Sequence, residues 1–208
     1  AGAGSGKTRT LTYRVAWLLD HGTDPWNILL LTFTNKAARE MTERVRALIP
    51  IDLSRLWSGT FHSIANRILR QHADYLGYTP AFTIMDSDDR KSMIKSIVKA
   101  LKLDEKSSRF PKPEVLSSLF SLADNEGAGI QETLENAYPY LSNHLDAILD
   151  VHEQYVLRKQ ETNSMDFDDL LLNTLQLLET DSEARTYYQN KFHYVLVDEY
   201  QDTNMVQY

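Results

Sequence analysis

The chain has 208 residues, 42% of them apolar and 25% charged, with a formal net charge of −7 and no cysteine. This is the composition of an ordinary globular protein long enough to bury a core, and it excludes disulfides and any cysteine-ligated metal site. No apolar run approaches the ~20 residues that a membrane helix needs, so no membrane partner is expected. The charge is uneven. Residues 1–80 carry 10 Lys/Arg against 6 Asp/Glu, residues 81–165 carry 10 against 14, and residues 166–208 carry 2 against 9. Positive charge therefore gathers in the first third, where an anionic partner would be met.

The first eight residues, Ala1-Gly2-Ala3-Gly4-Ser5-Gly6-Lys7-Thr8, read as a phosphate-binding loop. Gly2, Gly4 and Gly6 allow positive φ and a close wrap around an anion. Ala3 and Ser5 complete a run of inward backbone N–H groups at the start of a helix. In such a loop Lys7 reaches the β- and γ-phosphates of ATP, and the Thr8 hydroxyl holds Mg²⁺. Alanine stands at position 1, where the usual pattern has glycine. The plain alternative is a glycine-rich turn that happens to precede a helix. For Arg9 there are two readings, contact with the nucleotide sugar or base and a solvated side chain; it is counted with the nucleotide-binding residues.

Leu11, Val15, Leu18 and Leu19 recur at helical spacing, and His21-Gly22 supplies a stop. Ile28-Leu29-Leu30-Leu31 is a continuous apolar run, as expected for a strand covered on both faces. Thr34 or Asn35 then caps a helix with the stripe Ala37, Met41, Val45 and Leu48. Leu56 to Thr60 reads as another strand, followed by a helix with Ile64, Ala65, Ile68 and Leu69 inward. Strands alternating with helices predict an α/β domain with a parallel sheet.

Phe82-Thr83-Ile84-Met85 is a further candidate strand, and Asp86 or Ser87 opens a helix carrying Met93, Ile94, Ile97, Val98 and Leu101. From there to about Met165 the periodicity is helical throughout. Its stripes are Val115, Leu116, Leu119 and Leu122, then Leu141, Leu145, Ile148, His152 and Tyr155. The charged segment Lys102 to Pro113, with two prolines, is the best linker. The pattern predicts a discontinuous α/β domain, residues 1–85 and 166–208, with an all-helical insertion at 86–165. Tyr194-Val195-Leu196-Val197 is expected to be a second buried strand, running directly into Asp198-Glu199. Because a phosphate-binding loop follows a strand, and the chain begins at the loop, the sequence reads as cut from something longer at both ends.

An apolar strand ending in two acids is the partner that a phosphate-binding loop needs. Asp198 is suited to Mg²⁺, and Glu199 to orienting and deprotonating an attacking water. Alone, such a string can be a surface turn; together with the upstream Gly6-Lys7-Thr8 it marks a P-loop NTPase.

The stretch from Asp198 through Tyr200, Gln201, Asp202 and Thr203 to Asn204 closely resembles motif II of the superfamily 1A helicases, the UvrD/Rep/PcrA group. Leu31 to Ala38 looks like the family's motif Ia, and Gly59-Thr60-Phe61-His62-Ser63 looks like its motif Ib. Met165 to Leu171 is similar to the segment that returns the family's chain from its inserted subdomain. The resemblance covers essentially the whole chain, and Pro25-Trp26-Asn27-Ile28 leans to the PcrA branch. It implies a RecA-like ATP-binding subdomain with a helical subdomain inserted. It also implies an ATP- and Mg²⁺-dependent 3′→5′ translocase and helicase on single-stranded and junction DNA.

Cytoplasmic location and accessory repair or replication proteins as partners follow from the same resemblance, which leaves the oligomeric state undetermined. Motifs Ia and Ib line the family's DNA path, so Phe33, Asn35, Phe61 and His62 become DNA-binding candidates. By pattern alone Phe33 reads as core and His62 as a helix-start histidine. The family's adenine-reading glutamine motif, its motifs III to VI with their arginines, and its second RecA-like domain have no counterpart here. These 208 residues alone are therefore expected to be nearly inactive. Two other P-loop classes fit less well. Thr186 to Asn190 is unlike an ABC signature, and Asp198-Glu199-Tyr200-Gln201 is unlike a DEAD-box motif. A non-catalytic binding module with a decayed loop is the reading from another class, and intact Lys7, Thr8, Asp198 and Glu199 count against it.

Overall fold

The structure is a computed structural model that describes residues 6–103 and 110–208. The Ala1 to Ser5 part of the phosphate-binding loop and residues 104–109 of the Lys102–Pro113 linker lie outside the described residues. The chain divides into two compact units, residues 1–68 with 176–203 and residues 69–175 with 204–208.

The first unit holds a three-stranded parallel sheet in the order β2-β1-β5, where β1 is Ile28–Thr32, β2 is Trp57–Thr60 and β5 is Tyr194–Val197. All five residues of β1 are buried, which explains its unbroken apolar run. Burying a Leu or Ile side chain contributes roughly 1.5–3 kcal/mol, so this strand anchors the unit. Helices α1 (Lys7–Asp20) and α2 (Asn35–Leu48) pack on it through Val15, Leu18, Leu19, Met41 and Val45. Thr34 caps α2, its Oγ1 accepting from the Ala37 N–H at 3.1 Å. Helix α1 ends at His21, and Gly22 takes φ 87°, where a side chain would be strained.

The expectation that Tyr194–Val197 is buried is corrected by the structure. Strand β5 lies at an edge of the described sheet, and Val195 is 56% exposed. Its apolar residues match those of β1, but burial depends on which strands flank it, and only β1 does so here.

Behind β2 lies an aromatic cluster. Lys191, at the end of α9 (Ser182–Lys191), is only 3% exposed. Its Nζ lies 3.4 Å from the Trp26 ring centroid and 3.6 Å from that of Trp57. The Arg67 guanidinium approaches the Trp57 ring at 3.7 Å. Among the described residues the Lys191 ammonium has no hydrogen-bond partner; burial, and secondarily the Arg67 charge, push its pKa down to about 8. The aromatic faces pull the other way, since they attract the charged form.

The second unit is mainly helical. It comprises α4 (Ser87–Ala100), α5 (Pro113–Glu126), α6 (Ile130–Ala137) and α7 (Leu145–Glu161), with β3 (Thr83–Ile84) paired in parallel to β4 (Ser164–Met165). The candidate strand at Phe82 to Met85 is thus short and belongs to a separate two-stranded sheet. Helices α3 (Phe61–His72) and α8 (Phe167–Thr180) each contain a point of division between the units. The Val115-Leu122 stripe is also displaced. On α5 the buried side chains are Leu116, Leu119, Phe120 and Ala123, with Val115 only partly covered. Leu141 sits in a 3₁₀ turn ahead of α7. Asp86 caps α4 in a reciprocal capping box with Asp89, and Asp166 and Asp169 form the same reciprocal pair at the start of α8.

Buried in this unit is a charged cluster. Arg90 Nη1 lies 2.5 Å from Asp168 Oδ2, Arg90 Nε 3.7 Å from Asp166, and Arg90 Nη2 4.0 Å from Asp124. Lys159 Nζ meets Asp169 at 2.7 Å and Asp166 at 3.2 Å, and the Tyr155 hydroxyl donates to Asp166 at 2.8 Å. Burial pushes the Asp166 carboxyl up, but the Lys159 and Arg90 charges outweigh it and hold its pKa low. Asp124 has no such close partner. Burial, then the Asp168 charge, push its pKa up to about 7.

Candidate nucleotide and nucleic-acid sites

Helix α1 begins where Gly6 adopts φ 84°, which a residue with a side chain rarely takes. That places Lys7 and Thr8 in the first turn, with their side chains toward the carboxyl end of β5. The Asp198 N–H donates to the Leu31 carbonyl at 2.9 Å, carrying the β-ladder one step beyond Val197 and fixing the Asp198 backbone. Its carboxylate then faces the Thr8 hydroxyl, which donates at 3.3 and 3.4 Å. Lys7 Nζ pairs with Glu199 Oε2 at 3.1 Å.

Glu199 itself has φ 53°, a left-handed conformation that costs a non-glycine residue about 1–3 kcal/mol. Its carboxylate accepts from Gln201 Nε2. That bond first, and then the Lys7 hydrogen bond and charge, hold the Glu199 pKa below the usual range. Two residues that sequence reasoning left without a role thus shape this end of the chain. Gln201 braces Glu199, and Asn204 Nδ2 donates to Asn125 Oδ1 at 2.6 Å. Both lie within the recognised motif, which was the available signal.

The pair Thr8 and Asp198 offers hydroxyl and carboxylate oxygens of the kind Mg²⁺ accepts. Among the described residues no group of three or more His, Asp or Glu converges on a metal position. The Thr8 hydroxyl and Asp198 carboxylate form a donor set that fits Mg²⁺, an ion that keeps several waters and takes one or two carboxylates. Arg9 is exposed, one position beyond Thr8. Gly2, Ala3, Gly4 and Ser5 lie outside the described residues.

A second constellation forms at the ends of β1 and β2. Their register sets Thr32 beside Thr60, so the next residues of each, Phe33 and Phe61, emerge side by side. The two rings lie 5.7 Å apart at 57°, and Phe33 is 38% exposed. The core reading of Phe33 is therefore incorrect, because β1 ends one residue earlier. Asn35, at the start of α2, lines a polar groove of about 310 Å³ with Arg39, Thr42, Arg46, Ser58 and Ser63. Thr42 and Ser58 hydroxyls meet at 3.1 Å, and Ser63 Oγ donates to the Thr60 carbonyl at 2.9 Å. A Cβ at Gly59 would fall 2.3 Å from Ser63 Oγ. His62 is partly buried in the first turn of α3. Sequence reasoning missed Arg39, Thr42 and Arg46, although their spacing along α2 could have marked them.

The whole chain, residues 1–208, matches the family model described as UvrD/REP helicase N-terminal domain. The chain belongs to the UvrD/REP helicase family. It is 44% identical over 209 residues to the ATP-dependent DNA helicase PcrA of Staphylococcus aureus strain Mu50, covering 100% of this chain and 28% of that protein. The PcrA of Staphylococcus epidermidis strain ATCC 12228 matches with the same identity and coverage. The chain thus spans 28% of the length of these relatives. Family membership agrees with the parallel α/β sheet. No described helix is long and apolar enough to cross a membrane.

Proposed function

We propose that this chain is the ATP-binding part of a 3′→5′ DNA helicase and translocase acting on single-stranded DNA. The observation that carries the reading is the convergence of Lys7 and Thr8 with Glu199 and Asp198 across some 190 residues of chain. Lys7, with the loop Gly2 to Gly6, holds the phosphates of ATP, and Arg9 touches its sugar or base. Thr8 and Asp198 hold Mg²⁺, which when bound would neutralise charge on the phosphates. Glu199 orients and deprotonates the attacking water. Phe33 and Phe61 offer aromatic faces to bases, with Asn35 and His62 bonding the strand beside them.

In this reading residues 1–85 and 166–208 form the RecA-like subdomain and 86–165 its helical insertion. Junction DNA, accessory repair or replication proteins and a cytoplasmic setting belong to the same proposal. The 208 residues by themselves should turn over ATP slowly, because the family resemblance places the charge-stabilising arginines in other motifs, each finger being worth ~10³–10⁵ in rate.

Titration with a fluorescent ATP analogue and Mg²⁺ tests the division of roles. Lys7→Ala should weaken binding at least tenfold. Glu199→Gln should bind as well as the parent or better, because it frees Lys7 from its ion pair, while hydrolysis in the intact helicase is lost. Equal loss of binding in both variants would refute the assignment.

A further inference from the structure

Helix α1 turns Thr12, Val15, Ala16, Leu18 and Leu19 inward, so its outer face ought to be polar. Instead Tyr13 and Trp17, one turn apart, are 49% and 48% exposed. Cations already rest against both rings: the Arg9 guanidinium lies 5.5 Å from the Tyr13 centroid and that of Arg14 lies 4.8 Å from Trp17. The His21 ring also stacks on Trp17 at 4.1 Å. Beside Tyr13 a groove of about 380 Å³ runs between α1 and α2, lined by Thr12, Tyr13, Ala47 and Leu48 together with Arg9 and Arg44. Leu48 is itself exposed.

Among the described residues Arg9 and Arg14 meet no carboxylate within ion-pair distance, and Arg44 shares Glu40 with Lys36 at 3.6 and 3.9 Å. An apolar groove bordered by under-compensated arginines, with exposed Trp and Tyr, has the composition of an interface core rather than of free surface. The charge points to an acidic occupant, and the apolar lining to one with hydrophobic anchors.

We propose that this face docks an acidic amphipathic helical segment of a partner protein, its Leu-like anchors seated on Tyr13, Ala47 and Leu48 and its carboxylates on Arg14 and Arg44. This is the helix-in-groove mode of recognition. A nucleic acid strand fits less well. Bases need open ring faces to stack on, whereas here the chain's own Arg9, Arg14 and His21 already lie against the rings. The proposal goes beyond the nucleotide and DNA reading and uses surface that the reading does not need.

The test uses the 208-residue chain and a fluorescein-labelled, helix-forming peptide with Leu at i and i+4 and Glu between, followed by fluorescence anisotropy. Saturable binding is expected, with a blue shift of the exposed Trp17 emission. Leu48→Asp and Arg14→Glu, both at exposed positions, should each weaken it at least tenfold while leaving the circular dichroism spectrum unchanged. A poly-glutamate peptide without Leu should bind at least tenfold more weakly than the probe. Absence of saturable binding, equal affinity of poly-glutamate, or unchanged affinity in Leu48→Asp would each overturn the proposal. So would an oligodeoxynucleotide that binds this face and loses affinity in Leu48→Asp.

Discussion

Replacing Asp124 with asparagine should stabilise the helical unit at neutral and alkaline pH, although it removes a charge 4.0 Å from an arginine. The cluster around Arg90 and Lys159 holds four carboxylates, those of Asp124, Asp166, Asp168 and Asp169, for two cations. Asp124 is the least well paired, its side chain is 23% exposed, and its pKa rises from 3.8 to about 7. Below about pH 4 it is protonated whether folded or unfolded, and nothing is lost. Between about 4 and 7 the folded chain holds a proton that the unfolded chain has released, so stability falls as pH rises through that window.

A rise from 3.8 to about 7 corresponds to roughly 4 kcal/mol. Partial exposure and sharing of the proton within the cluster reduce this to about 2 kcal/mol. For a chain of this size that amounts to a rise in Tm of roughly 4–8 °C above pH 7.5. At pH 5 the gain should shrink to about a third. Far-UV circular dichroism melts at both pH values measure it. Trp17, Trp26 and Trp57 all lie in the other unit, so their fluorescence serves as an internal control. His152, whose pKa burial pushes down to about 4, titrates identically in parent and variant and cancels. A gain independent of pH, or destabilisation at pH 8, would mean that Asp124 is an ionised partner of Arg90 and would refute the reasoning.

Lys191 gives the opposite pH dependence. Its folded pKa of about 8 lies below the unfolded value of 10.5, so the unfolded chain binds the extra proton between those values and stability should rise from pH 8 towards 10. Lys191→Met should flatten that rise in urea melts; an unchanged slope would show that the aromatic faces keep the ammonium charged. Above pH 10 both proteins should lose stability, because burial raises the pKa values of Tyr78, Tyr155 and Tyr188. Phe33→Ala should weaken single-stranded DNA binding by the intact helicase about tenfold, since stacking contributes ~1–3 kcal/mol per base. A lowered Tm with unchanged DNA affinity would contradict that role. Gly59→Ala should cost about 1 kcal/mol by displacing Ser63 Oγ from the Thr60 carbonyl. The double variant Gly59→Ala/Ser63→Ala should recover the part due to the clash, and no recovery would place the strain in the β2 backbone.

What the sequence determined by itself was local. The apolar run Ile28–Leu31 marks a strand buried on both faces. Thr34 and Asp86 announce helix starts because a cap acts within three residues. Lys7, Thr8, Asp198 and Glu199 could be singled out by motif spacing, and the fold brings Lys7 to Glu199 and Thr8 to Asp198. Tertiary structure decided what depends on neighbours far along the chain. Strand β5 is as apolar as β1, yet only its edge position settles that Val195 is exposed. Phe33 belongs to the surface because the β1–β2 register ends at Thr32. Nothing near Lys191 in sequence announces Trp26 and Trp57, and nothing near Arg90 announces Asp166 and Asp168 some 75 residues later. A buried charge takes its energy from whatever the fold brings within a few ångströms, and periodicity along the chain carries no record of those partners.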